Sequence, residues 1–218
     1  MLLLAIDTST SAITVALHGD EVAATATVLD ARGHTEHVAP LIERCLESAG
    51  RSPADVTDVV VGNGPGPFTG LRVGIVTGLV FAHARGIPVH GVCSLDVLAF
   101  DVAALRGEGD FLVATDARRK EVYWARYAAS AGVARRLTDP AVALPADLPD
   151  ELRSLPTAGR GPLLYPHLFP APVQVHDVQA GSLAVVALQR LRAGVAMPVE
   201  PLYLRRPDAL TTAERAKS

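Results

Sequence analysis

Asp7 closes an apolar opening run, Met1-Leu2-Leu3-Leu4-Ala5-Ile6, and is followed by the hydroxyls of Thr8-Ser9-Thr10-Ser11. A carboxylate and hydroxyls where a strand leaves its sheet can hold a metal-bound water or a phosphate oxygen at the mouth of a cleft. The same residues can instead form a polar turn that bonds its own backbone. Both readings stay open for Asp7. Asp116, followed by Ala117-Arg118-Arg119-Lys120, poses the same choice, with the structural turn preferred there.

Six of the 18 glycines lie between Gly62 and Gly78, most of them in Gly62-Asn63-Gly64-Pro65-Gly66-Pro67-Phe68-Thr69-Gly70. Such a loop, leading from a strand into a helix, can offer N–H groups and a positive dipole end to an anion. It has no Gly-Lys-Ser/Thr, and its glycines are out of register for a dinucleotide fingerprint. The packing reading is stronger. Gly70, Gly74 and Gly78 recur every four residues, leaving one helical ridge almost bare, and each costs about 1 kcal/mol of helix propensity. A close helix contact is the expected return, within the fold or across an interface.

Other candidate chemistry is thinner. His34 and His37 are three residues apart and read better as solvated helix-entry residues than as metal ligands. Cys45 falls on an apolar helical stripe, and neither a nucleophile elbow nor a paired base is visible. No catalytic, metal or cofactor-binding set is therefore expected, with Asp7, Thr8, Ser9 and Thr10 kept as a candidate vestigial phosphate loop.

Composition narrows the class. Hydrophobic residues make up 49% and charged residues 20%, as in packed globular chains, while a net charge of -3 offers no general attraction to nucleic acid. Two distant cysteines argue against a disulfide framework, and no stretch is long and apolar enough for a membrane span. A soluble, cytoplasmic protein is expected.

The elements that must position these residues fall into a repeat. Leu2–Ile6, Ile13–Leu17 and Val22–Val28 predict three strands, followed by a helix over Thr35–Ala49 whose apolar face includes Val38, Leu41 and Leu46. A strand at Val59–Val61, a helix over Thr69–Arg85, a strand at Val89–Val92 and a helix capped by Ser94 follow. Phe111–Thr115 then restarts the pattern, ending in Asp116 as the first strand ends in Asp7, with strands at Val122–Tyr127 and Val133–Leu137. Beyond them, helices are expected near Ala146–Leu155 and over Leu183–Leu191, and the polar tail after Pro207 is expected to fray. Two lobes, residues 1–106 and 107–218, account for the repeat better than one doubly wound sheet.

Leu4-Ala5-Ile6-Asp7-Thr8-Ser9-Thr10, His34-Thr35-Glu36, the run from Gly62 to Gly74, Asp116-Ala117-Arg118-Arg119-Lys120-Glu121 and Pro201-Leu202-Tyr203-Leu204-Arg205 occur in the order found in the TsaB (YeaZ) family, which the chain resembles over most of its length. The resemblance implies an α/β, two-lobed fold of the actin, heat-shock-protein and sugar-kinase type, built on a duplicated ribonuclease-H-like unit.

It also implies a non-catalytic scaffold for threonylcarbamoyl modification of the tRNA adenosine beside the anticodon. Such a scaffold pairs with the catalytic subunit TsaD, a paralogue, and with itself as a homodimer, through the helices corresponding to Thr35–Ala49 and Thr69–Arg85. TsaE, an ATPase, joins the complex, and tRNA is met only through it. Val38, Leu41, Leu46, Gly70, Gly74 and Gly78 are the interface residues expected on this basis. The metal-binding histidine pair of TsaD has no counterpart here. The alternatives are an ATP-binding, kinase-like enzyme using Asp7 and Asp116, for which only Gly159-Arg160-Gly161 resembles an adenosine loop, and, less favoured, a metallopeptidase.

Overall fold

The computed structural model describes residues 1–30 and 33–205. The expected frayed tail lies outside the described residues. The first sheet has five strands, β1 (Leu3–Asp7), β2 (Ala12–His18), β3 (Val22–Leu29), β4 (Asp58–Gly62) and β5 (Val89–Val92), in the order β3-β2-β1-β4-β5. β1 to β3 form an antiparallel meander, while β4 and β5 add in parallel. Helices α1 (His34–Ser48), α2 (Phe68–Arg85) and α3 (Ser94–Arg106) alternate with these last strands.

The second sheet repeats this plan in reduced form. β6 (Gly109–Asp116), β7 (Val122–Ser130) and β8 (Val133–Arg136) make the meander, with β9 (Ala141–Ala143) beside β7 and the short β10 (Thr157–Ala158) parallel to β6. β10 stands to β6 as β4 stands to β1. This is the duplicated ribonuclease-H-like plan, and the α/β fold of the actin and sugar-kinase type is present.

Alternation along buried strands sorts side chains into separate cores. Leu4, Ile6, Ile13, Val15, Val59 and Val61 point to one face of the first sheet, where Val38, Leu41, Ile42, Cys45 and Leu46 of α1 and Leu71 and Ile75 of α2 cover them. Leu3, Ala5, Ala16 and Val60 point to the other face, against α6 (Ala180–Arg192), and this core continues through α3 to Phe111, Val113 and Tyr127 of the second sheet. Small Ala5 and Ala16 let α6 lie close. The side-chain hydroxyl of Thr14 accepts the N–H of Ala180 at 3.2 Å, satisfying one orphan donor at the start of α6.

Packing thus crosses the two halves: α6, late in the chain, lies on the first sheet, while α3 lies against the second. The chain between Pro140 and Pro172 covers the remaining face around Leu112, Ala114, Leu148 and Phe169. The helix expected over Ala146–Leu155 is broken here into a turn at Pro145–Asp147 and a single helical turn, α4 (Asp150–Arg153). Pro149 at its start cannot supply the hydrogen bond that would join them. A further short helix, α5 (Gly161–Leu164), had no periodic signal.

Candidate functional site

Asp7 sits at the end of β1 with no solvent exposure. One carboxylate oxygen accepts the backbone N–H and the hydroxyl of Ser9, both at 2.8 Å, and the other accepts the Ser94 hydroxyl at 2.7 Å. Burial raises its pKa, against the Ser94 and Ser9 hydrogen bonds, which favour the ionised form. Gly62 makes this arrangement possible, because a Cβ there would lie 1.6 Å from the Asp7 oxygen. Ser94 was expected to cap α3, yet its hydroxyl is directed to Asp7. Ser94 is the first residue of α3, with Cys93 at the cap position, and its buried hydroxyl donates to Asp7 while accepting the Gly64 N–H at 3.3 Å.

Thr8 binds the loop to α2. Its hydroxyl donates to the Gly70 carbonyl at 2.7 Å and accepts the Gly74 N–H at 3.0 Å. Of the candidate phosphate loop, Asp7 and Thr8 are therefore engaged inside the protein, and Ser9 and Thr10 face the cleft between the two aspartate turns.

Asp116 stands on the far side of that cleft, partly exposed. It accepts the Arg118 N–H at 2.7 Å and pairs with the Arg118 guanidinium at 3.2 Å. Arg118, Arg119 and Lys120 all adopt left-handed backbone, with φ of 61°, 53° and 63°. Ser9, Thr10, Ser11, Thr115, Arg160 and His176 line the cleft with Arg118, and the region a water's centre can occupy is about 10 Å³. That is room for one water. Thr115 Oγ1 and His176 Nδ1 are buried there without a partner among the described residues, which suits a bridging water. Arg160 is held by Asp177 through two 2.7 Å contacts. Gly159 and Gly161 lie against Ala114, so the Gly159-Arg160-Gly161 stretch packs on β6.

The histidines separate. His34 is buried beside Gly70, and burial lowers its pKa against the Thr10 backbone bond and the Asp30 charge, which raise it. His37 bonds Asp30 at 3.2 Å. The expectation of two solvated histidines is corrected for His34, which the close approach of α2 covers. Among the described residues no group of three His, Cys, Asp or Glu could hold a metal ion.

The six residues expected at an interface face inward. A Cβ on Gly74 would lie 2.4 Å from the Thr8 hydroxyl oxygen, one on Gly78 2.4 Å from Val61, and one on Gly70 2.9 Å from His34. Val38, Leu41 and Leu46 lie under α1 in the core. The bare ridge is therefore corrected from a partner contact to the seat of α2 on its own sheet. What the sequence reading missed is the opposite side of α2, where Phe68, Val76, Leu79 and Val80 are 46%, 54%, 40% and 63% exposed. Their signal was available, since α2 carries apolar residues on every side, and such a helix buries more than one face. Phe68 and Tyr203 pack with ring centres 5.2 Å apart, and Arg72 lies beside the pair, its guanidinium carbon 3.7 Å from the Phe68 ring centre and its Nε donating to the Tyr203 hydroxyl at 2.8 Å.

The duplicated sheets and the helices exchanged between them define an α/β protein of the actin and sugar-kinase fold type, with room for about one water in the cleft between its two aspartate turns. Comparison with known proteins narrows this. A family model described as TsaD, tRNA N6-adenosine threonylcarbamoyltransferase, matches residues 28–179. YeaZ from Pseudomonas aeruginosa superposes with a TM-score of 0.78 at 30% identity, covering 93% of this chain and 99% of that one. The tRNA threonylcarbamoyladenosine biosynthesis protein TsaB of Escherichia coli is 39% identical over 127 residues, 58% of this chain and 55% of that protein. A Mycobacterium leprae protein is 43% identical over 215 residues, and the match spans 95% of this chain but 56% of that relative's length. The chain belongs to the TsaB (YeaZ) family.

Proposed function

We propose that this chain is a non-catalytic subunit of tRNA threonylcarbamoyladenosine biosynthesis that pairs, through the outer face of α2, with a TsaD-type catalytic subunit and with a second copy of itself. The observation that carries this reading is the exposed apolar row Phe68, Val76, Leu79 and Val80 on a helix whose other side is already seated. A row of this kind gains about 25 cal/mol for each Å² of apolar surface removed from water. The names of the family model and of the relatives support the pathway. A scaffold role is supported by Asp7 and Thr8, whose polar groups are engaged by the protein's own chain. A TsaE-type ATPase and tRNA are met through the assembled complex.

The test is Val76→Asp, an exposed change outside all three cores. The variant should keep the wild-type circular dichroism and lose at least about tenfold in affinity for the catalytic subunit and for itself, since an unpaired charge is forced into a desolvated contact. A folded variant that co-elutes normally with TsaD rejects the outer face. ATP turnover by the isolated chain that is lost in Asp7→Asn rejects the non-catalytic role.

A further inference from the structure

The turn between β6 and β7 combines strain with charge. Three successive residues with left-handed backbone are costly for side chains with a Cβ, and glycine or asparagine is the usual occupant. Here the positions are filled by Arg118, Arg119 and Lys120, all exposed. The turn closes on itself, with the Glu121 N–H bonded to the Arg118 carbonyl at 2.9 Å and the Ala117 N–H bonded to the Glu121 carbonyl at 3.0 Å. That closure needs only backbone atoms; the Arg118 side chain also pairs with Asp116 at 3.2 Å, but nothing in the closure calls for a long cation at Lys120, where glycine is cheaper.

Neighbouring elements add to the same charge. Glu121 at the end of the turn pairs with Arg205, two residues after Tyr203, which in turn holds Arg72 on α2. The segment carrying Arg205 is fixed across the top of the first sheet by bonds from Asn63 to the carbonyls of Pro198 and Glu200, at 3.3 and 3.1 Å. Arg118 also lines the cleft beside Pro67, the residue before α2. Arg72, Arg118, Arg119, Lys120 and Arg205 gather at one end of the molecule; Arg118 is paired with Asp116 and Arg205 with Glu121, and Asp30 acts on His34 together with Arg118, so the five cations outnumber three acids locally in a chain whose net charge is -3. The exposed ring of Tyr203 lies among them.

We infer that this basic turn is a phosphate-backbone contact for RNA, added by this chain to the RNA site of the assembled complex. The inference rests on the proposed role in tRNA modification. Cations that read no base edge position a nucleic acid without specifying its sequence, and they act by releasing counterions. The overall negative charge keeps the isolated chain a poor RNA binder, so the contact operates where a partner already holds the RNA.

Lys120→Gly separates charge from structure, because glycine suits the left-handed backbone; Arg118→Gly with Lys120→Gly removes a second cation together with its Asp116 ion pair. Co-elution with the catalytic subunit is measured first, then binding of an unmodified tRNA transcript to the complex across a salt series. The expected result is normal co-elution, a Tm for Lys120→Gly raised by about 2–4 °C, and RNA affinity reduced about fivefold per removed contact near 0.15 M salt. The slope of log K against log salt should shrink by about 0.7–0.9 for each contact. An unchanged slope in an intact complex overturns the inference and leaves the pairing proposal standing. Loss of co-elution in the variant assigns the turn to an acidic protein surface and also overturns it. Failure of the wild-type chain to pair at all overturns both.

Discussion

The two aspartate turns occupy equivalent places in a repeated unit and have come to opposite states. Asp7 is fully buried, served by Ser9 and Ser94, with Gly62 leaving room for its carboxylate. Asp116 is partly exposed and is bonded by Arg118, within its own turn, with the Arg160 charge nearby. The strand that runs parallel beside each aspartate differs accordingly. β4 is a five-residue strand carrying three buried valines, whereas β10 has two residues and ends at Gly159, whose missing Cβ makes way for the Ala114 carbonyl. Duplicated topology does not preserve duplicated chemistry: one copy of the carboxylate became part of the packing, and the other stayed at the cleft among cations.

The largest expected effect comes from Gly62→Ala. The new methyl group would displace the Asp7 carboxyl from its three hydrogen bonds with Ser9 and Ser94, at a cost of about 3–5 kcal/mol for the three together. Urea denaturation should show the lowered midpoint, and an unchanged midpoint would mean Asp7 is free to move. Ser94→Ala removes one donor from Asp7 and the acceptor of the Gly64 N–H, and should cost about 1.5–3 kcal/mol by the same measurement. Asp116→Ala loses a partly exposed ion pair and one turn bond, so about 1 kcal/mol is expected. A larger loss there than for Ser94→Ala would reverse the comparison.

The pH dependence sharpens the same contrast. The folded-state pKa of Asp7 is raised above its ordinary 3.8, so the native state binds its proton more tightly than the unfolded chain does. Its contribution is fully present below about pH 3.8 and is lost as pH rises through the raised value. The stability difference between Asp7→Asn and wild type should therefore shift in favour of wild type as the pH is lowered through that window. Thermal melts at a series of pH values measure it, and a pH-independent difference would show that Asp7 does not carry this linkage.

Much of the fold was legible. Buried strands β1, β4 and β6 stand out as short runs of Leu, Ile, Val and Phe, and the ends of α2 are marked by the proline-rich entry and Gly86, which takes the left-handed backbone its place requires. The second half was harder to read. Between Pro140 and Pro172 its elements are two to four residues long, too short for any period to repeat.

By itself the sequence determined the order of elements through β8, the repeat, the carboxylate at each strand end and the bare ridge of α2, because each is written in local spacing. Only the tertiary structure decided which way these features face. A glycine ridge marks a close approach but carries no sign of whether its own sheet or a partner makes it, and Val61 and Thr8, not a second protein, fill the space above Gly78 and Gly74. Ser94 and Asp7 are 87 residues apart, so whether that aspartate meets solvent or a donor depends on how α3 and β1 are brought together. Facing is a long-range property of packing, and local spacing does not encode it.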